Sequence, residues 1–197
     1  MTQLEHCASQ VMSTKRTLCI WLPNWPLQRL IVAQPELRQH PVILAVRNPR
    51  RGQYVAACCE QARQHGIHPD MPLSEATSLC HDDLQVYPYD TQEDLKQLQH
   101  LARSCDRFSP RAGIECVSEN FYRSGVTVTD QQPQSLLMEI TGTDSLFGSE
   151  QQLVHQIILD FHRQGYSIHL AIAATLGAAW GLAHFARPQK PPGAGSW

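Results

Sequence analysis

The chain has 197 residues, of which 42% are hydrophobic and 17% charged, and its net charge is −2 with histidines neutral. That composition argues against disordered and fibrous classes, and the charge lacks the strong basic excess that by itself would signal phosphate binding. Such a chain can bury a real core, as one large domain or two small ones. Met1 to Lys15 is polar with single apolar residues, and it shows neither a secretory h-region nor a membrane span. The seven cysteines, Cys7, Cys19, Cys58, Cys59, Cys80, Cys105 and Cys116, are irregularly spaced and suit reduced thiols, so the expected location is the cytoplasm.

Thr17 to Leu22 is an apolar run closed by Pro23 and reads as a buried strand. Leu27 to Arg38 follows as a helix with Leu27, Leu30, Ile31 and Leu37 on one side. Pro41 to Val46 is the next strand, Arg47 to Gly52 a basic turn, and Gln53 to Ala57 a further extended run. Cys58 to His65 is a short helix closed by Gly66, and Pro72 opens another that carries Leu73, Ala76 and Leu79. Leu84 to Tyr87 is strand-like.

Thr91 caps a longer helix to about Arg107, with Leu95, Leu98, Leu101 and Ala102 on one face, before Phe108-Ser109-Pro110 breaks it. Ala112 to Ser135 is the least periodic region, and Phe121 to Thr129 reads as an inserted hairpin or loop. Leu136 to Thr141 is a buried strand, and Ser149 to Gly165 an amphipathic helix through Leu153, Ile157, Ile158 and Phe161. Ser167 to Ala174 is another strand and Leu176 to Ala186 the last helix. Beyond Arg187 the run Pro-Gln-Lys-Pro-Pro-Gly-Ala-Gly-Ser-Trp can neither continue a helix nor build a core. The folded part is therefore 16–186, between tails at 1–15 and 187–197.

Single clusters say little. Arg47, Arg50 and Arg51, and separately Arg103, Arg107 and Arg111, are more often solvated faces than phosphate contacts. Cys58, Cys59, His65, His68, Cys80 and His81 lack the paired C-x-x-C spacing of a zinc site. Trp21 and Trp25 could stack bases, although core packing is the commoner fate of such aromatics. No G-x-S-x-G, Walker-type or G-x-G-x-x-G sequence opens a helix after a strand.

Longer segments carry more. Residues 53–72, in which Arg63 precedes Gly66 and Met71-Pro72 closes a Gly-x-x-x-x-Met-Pro turn, resemble the fingers motif of the Y-family DNA polymerases, of the UmuC/ImpB/MucB kind. Phe108-Ser109-Pro110 resembles that family's bend into the palm, and Ile140-Thr141-Gly142 with Leu146-Phe147-Gly148 its central palm strand and turn. Leu18-Cys-Ile-Trp-Leu-Pro23 and Ile172 to Ala183 are similar to the ImuB branch. The resemblance implies an α/β palm, of the α+β kind, in which a mixed sheet is backed by helices and a small helical fingers element is inserted at about residues 50–90.

In that family, acids on adjacent palm strands hold two Mg²⁺ ions, a task that demands hard oxygen ligands. By the resemblance, Trp21 and Pro23 stand where the first strand carries Asp, and no carboxylate occurs between Arg16 and Pro35. The second pair falls on Gln134 and Ser135, or in a rival register on Ser118 and Glu119, which leaves Glu119 as one possible surviving acid. The fingers Tyr becomes Glu60 while Arg63 is kept, and a Lys of the last helix becomes Trp180. Triphosphate binding would lose cationic and hydroxyl partners by these changes.

What the resemblance implies is a protein without catalytic residues, metal or other cofactor, acting as an accessory of error-prone translesion synthesis in DNA repair. Its expected partners are damaged DNA, contacted through Arg51 and Arg63 and held weakly by this chain alone, an error-prone replicative-type polymerase and other mutasome proteins. Thumb and little-finger segments are lacking, so the sliding-clamp contact is expected to be lost, as in a fragment, frameshifted product or truncated homologue. Two alternatives stand beside this: an active translesion polymerase using Mg²⁺ through Glu119 and a recruited acid, and a nonfunctional remnant.

Overall fold

The computed structural model describes residues 15–80, 83–115 and 132–186. Strand β1 (Thr17–Trp21) lies between β6 (Ser135–Glu139) and β7 (His169–Ala173), antiparallel to both, and β5 (Ala112–Ile114) completes a four-stranded sheet in the order β5-β6-β1-β7. Helices cover both faces of β1, which explains a continuous apolar run instead of an alternating one. Leu18 and Ile20 face helices α4 (Thr91–Ser104) and α6 (Glu150–Arg163), where Leu98, Leu101, Leu153, Ile157 and Phe161 close the main core. Cys19 faces the opposite way, toward α7 (Leu176–Phe185) and its buried Ala179 and Ala183. Each large side chain buried in that core contributes roughly 1.5–3 kcal/mol.

The helices are capped from the sequence. Asp90, one residue ahead of the expected Thr91, caps α4 by accepting from the backbone N–H of Gln92 and Glu93, while Ser149 accepts from Gln152 and Thr175 from Ala178. These are the residue types that satisfy the orphan donors of a first turn.

Helix α1 (Trp25–Ala33) starts and stops earlier than the apolar spacing predicts. Pro35 forces Gln34 out of the helical region, and Pro35–Gln39 forms a separate 3-10 turn instead of a fourth turn of helix. Trp25 is buried in the main core, and its Nε1–H donates to the Asp94 carbonyl at 2.9 Å, so it has the core fate.

A second, three-stranded sheet has the order β3-β2-β4, built from β2 (Val42–Asn48), β3 (Gly52–Cys58) and β4 (Gln85–Pro88). It carries the helices α2 (Glu60–Gln64) and α3 (Leu73–Cys80), with Ile43, Val55, Ala62, Ile67, Met71 and Ala76 between. This sheet begins at Val42, which pairs with Gln85 of β4, and the β2–β3 hairpin pairs from Ile43 and Cys58 to Asn48 and Gly52 with one irregularity between Leu44 and Ala45. Its turn is held by the Asn48 side chain, which accepts from the N–H of Arg50 and Arg51, and by Gly52 at φ 75°. Cys58 remains in the strand, so the predicted helix begins only at Glu60, with the Cys59 sulfur accepting from Ala62 N–H. Leu27, Leu30, Val42, Leu44 and Ala57 pack the two sheets' surroundings together.

Short elements α5 (Asp144–Phe147) and β5 were not expected from the sequence. The predicted insertion at Phe121 to Thr129 lies outside the described residues. Among the described residues no helix is long and apolar enough to cross a membrane.

Candidate functional site

The first sheet brings the strand-end residues of interest together. Trp21, the last residue of β1, is opposite Ser135 of β6 on one side and His169 of β7 on the other. Helix α7 packs over β1 and β7 and delivers Trp180 and His184 to the same place. The His184 ring is sandwiched between two indoles, with centroids 4.4 Å from Trp21 and 4.1 Å from Trp180 and planes tilted by only 22° and 27°. His169 meets Trp21 edge-on at 5.1 Å, and Phe185 meets Trp180 at 5.9 Å.

Polar contacts lock this stack. Ser135 Oγ is 2.8 Å from His184 Nε2. Glu115, immediately after β5, accepts from Trp180 Nε1–H at 2.5 Å through one oxygen, and from the backbone N–H of Gln134 (2.5 Å) and Ser135 (3.1 Å) through the other. The Cys19 thiol beneath them is pushed up to about 12, chiefly by burial and then by the Glu115 charge, with Ser135 acting the other way. Burial therefore favours the protonated thiol at neutral pH.

A pair of Mg²⁺ ions does not fit these residues. Hard cations take several oxygen ligands, whereas the strand ends present an indole, a serine hydroxyl bonded to an imidazole, and one carboxylate already accepting from three donors. Among the described residues no three of His, Cys, Asp and Glu are grouped to hold a metal.

His184 is held below its ordinary value of 6.5 mainly by burial, with Glu115 opposing and His169 assisting. The unfolded chain thus takes up the proton more readily than the folded one. The His184 contribution to stability is full above pH 6.5 and declines as pH falls from there through the lowered folded value. Urea melts at stepped pH should show this decline in the native chain and a flatter profile for His184→Gln.

The other predicted positions do not join this cluster. Arg51 lies in the β2–β3 turn, 5.2 Å over the Tyr54 ring and 3.8 Å from Asp70, with its side chain 58% exposed. Arg63 lies on α2, 3.9 Å from Glu60 and 53% exposed. Both guanidinium groups are open to an anion, and no contact joins them. Gln134 enters the site through its backbone, and Glu119 lies outside the described residues. Glu115, His169 and His184 were missed by sequence reasoning, for none sits in a motif.

Comparison with known proteins gives the family and the fold. The family model described as IMS, impB/mucB/samB family, matches residues 20–183. The chain is 32% identical over 120 residues to Protein ImuB of Caulobacter vibrioides, covering 61% of this chain and 22% of that protein. It is 27% identical over 174 residues to DNA polymerase IV of Dehalococcoides mccartyi, covering 85% of this chain and 37% of that protein. A solved Y-family DNA polymerase chimera superposes with a TM-score of 0.62 at 14% identity, covering 88% of this chain and 46% of the other. This chain thus spans less than half the length of each.

Proposed function

The chain belongs to the impB/mucB/samB family of Y-family polymerase-like proteins, and from that premise we propose that it is a non-catalytic member serving error-prone translesion synthesis as an accessory. The observation that carries this reading is the pairing of Trp21 with Ser135 under the Trp21–His184–Trp180 stack. In this reading side chains occupy the strand ends at which the family's two-metal chemistry would need carboxylates. The similarity to Protein ImuB supports the same branch. Damaged DNA, a separate error-prone replicative-type polymerase and further mutasome proteins are the partners that this role requires.

Phosphate contact falls to the second sheet. Arg51 and Arg63 are exposed and only loosely paired, at 3.8 and 3.9 Å from their acids, so an incoming phosphate can displace either partner. Few such contacts and a net charge of −2 imply weak, salt-sensitive DNA binding by this chain.

Primer extension with Mg²⁺ or Mn²⁺ tests the first part: no template-dependent incorporation is expected, and incorporation would overturn the accessory reading. For the second part, Arg51→Glu with Arg63→Glu should abolish the residual affinity for primer-template DNA at low salt. Unchanged affinity would make both residues ordinary surface charges.

A further inference from the structure

Between the 3-10 turn Pro35–Gln39 and the end of α6 lies a cavity of about 460 Å³. Gln28 and Ile31 of α1, Arg38 of the turn, His162 of α6, and Tyr166 and Ser167 of the α6–β7 connection line it. Among the described residues no Asp or Glu does, and the cavity shares no residue with the Trp21–His184–Trp180 stack or with Arg51 and Arg63.

Its walls are fixed in advance. Gln28 Nε2 donates to Pro23 O at 2.7 Å and to Ser167 O at 2.9 Å, while Gln28 Oε1 accepts from Ser167 N–H at 2.8 Å, so the connection is clamped to α1. Gly165 has φ 87°, and a Cβ built there would stand 2.7 Å from Arg38 Nη2 and 3.5 Å from Val32 Cγ2. Only glycine both adopts that backbone and leaves room for the guanidinium against it. The Tyr166 ring, centred 5.7 Å from Trp25 and 6.4 Å from Phe161, forms an apolar wall with Ile31.

The polar groups left over are donors. Among the described residues the Arg38 guanidinium, the His162 ring and the hydroxyls of Tyr166 and Ser167 form no hydrogen bond or ion pair. Arg38 is not needed to cap α6, because the carbonyls of Asp160, Phe161 and His162 already accept from the N–H of Gln164 (3.2 Å), Tyr166 (3.0 Å) and Gly165 (2.9 Å). Asp160 is itself engaged by the Arg107 and Gln164 side chains. Burial pushes the Tyr166 phenol above its ordinary value, with the Arg29 charge opposing, so it stays an O–H donor.

We propose that this cavity binds a small phosphate monoester, its oxygens held by Arg38, His162 and the two hydroxyls and its organic body laid against Ile31 and Tyr166. A guanidinium fork flanked by further donors suits an anion with several oxygens. Small-molecule sites commonly span about 300–1,000 Å³ and join apolar walls to a few convergent polar groups. This site goes beyond the accessory reading and does not depend on it.

Titration of the full chain with phenyl phosphate, followed by amide NMR, should shift Gly165, Tyr166 and Ser167 most. Inorganic phosphate should shift the same amides with lower affinity, for want of an apolar body. Arg38→Gln, at an exposed position and with the fold intact by circular dichroism, should weaken phenyl phosphate by at least about tenfold. Tyr166→Phe, which keeps the ring, should weaken it less, and Arg103→Gln at the end of α4 should leave it unchanged. An absence of shifts at 165–167, or an affinity indifferent to Arg38→Gln, would overturn the proposal. So would equal competition by a DNA oligonucleotide without a terminal phosphate, since the site would then hold nucleic-acid phosphodiester. Primer extension plays no part in these readouts, so the non-catalytic reading stands or falls separately.

Discussion

Replacing Arg29 by alanine is expected to lower stability by about 3–5 kcal/mol, the range for stranding one member of a buried ion pair. Arg29 Nε lies 2.5 Å from Asp94 Oδ1, and the two side chains are only 17% and 3% exposed. Burial raises the Asp94 carboxyl pKa, and Arg29 is the partner that opposes the rise. Asp94 Oδ2 has no other hydrogen-bond partner, so nothing local takes over. The pair also anchors α1 to α4 beside Trp25, which donates to the Asp94 carbonyl. Urea denaturation at pH 7 checks the loss. The cost should shrink toward acid pH, because a carboxyl with a raised folded value gains its proton there and no longer strands a charge. Arg29→Leu combined with Asp94→Leu should recover most of it, since apolar replacement removes both desolvation penalties. A single substitution as harmless as the double one would show that the pair is solvated.

The double substitution Trp21→Asp and Ser135→Glu is expected to cost about 2–4 kcal/mol without a divalent cation, through lost aromatic packing and like-charge repulsion. It would place two new acids beside Glu115, whose oxygens already hold the N–H groups of Gln134, Ser135 and Trp180. Mg²⁺ or Mn²⁺ should then restore stability, by roughly 2.7 kcal/mol at a concentration one hundred times the dissociation constant. The native chain should melt at the same temperature with or without the cation. If Mn²⁺ instead stabilised the native chain, the strand ends would already bind metal, and the non-catalytic reading would fail.

Much of the fold was legible because burial leaves a period. The apolar run of β1 and the Leu153, Ile157 and Phe161 spacing of α6 appear where the sequence predicts them. The end of α1 was written in Pro35, yet Ile31 and Leu37 kept the apolar spacing alive beyond it. Strand β5 was not legible, for three residues acquire extended structure only by pairing with β6. The sheet beneath the fingers motif was only partly visible, since β2 looked like an independent strand until β3 and β4 flanked it.

For the site, the amino-acid order alone established that no carboxylate lies between Arg16 and Pro35 and that Trp180 stands in the last helix. It also made Gln134 and Ser135 one of two possible alignments for the second strand. Tertiary structure decided what meets Trp21: Ser135 across the ladder, His184 stacked on its face, and Glu115 bound to Trp180 across 65 residues of chain. Local spacing records which face of an element is buried, because neighbours in sequence share that face. It does not record which distant side chain arrives there, since that depends on how the sheet is ordered and where α7 crosses it.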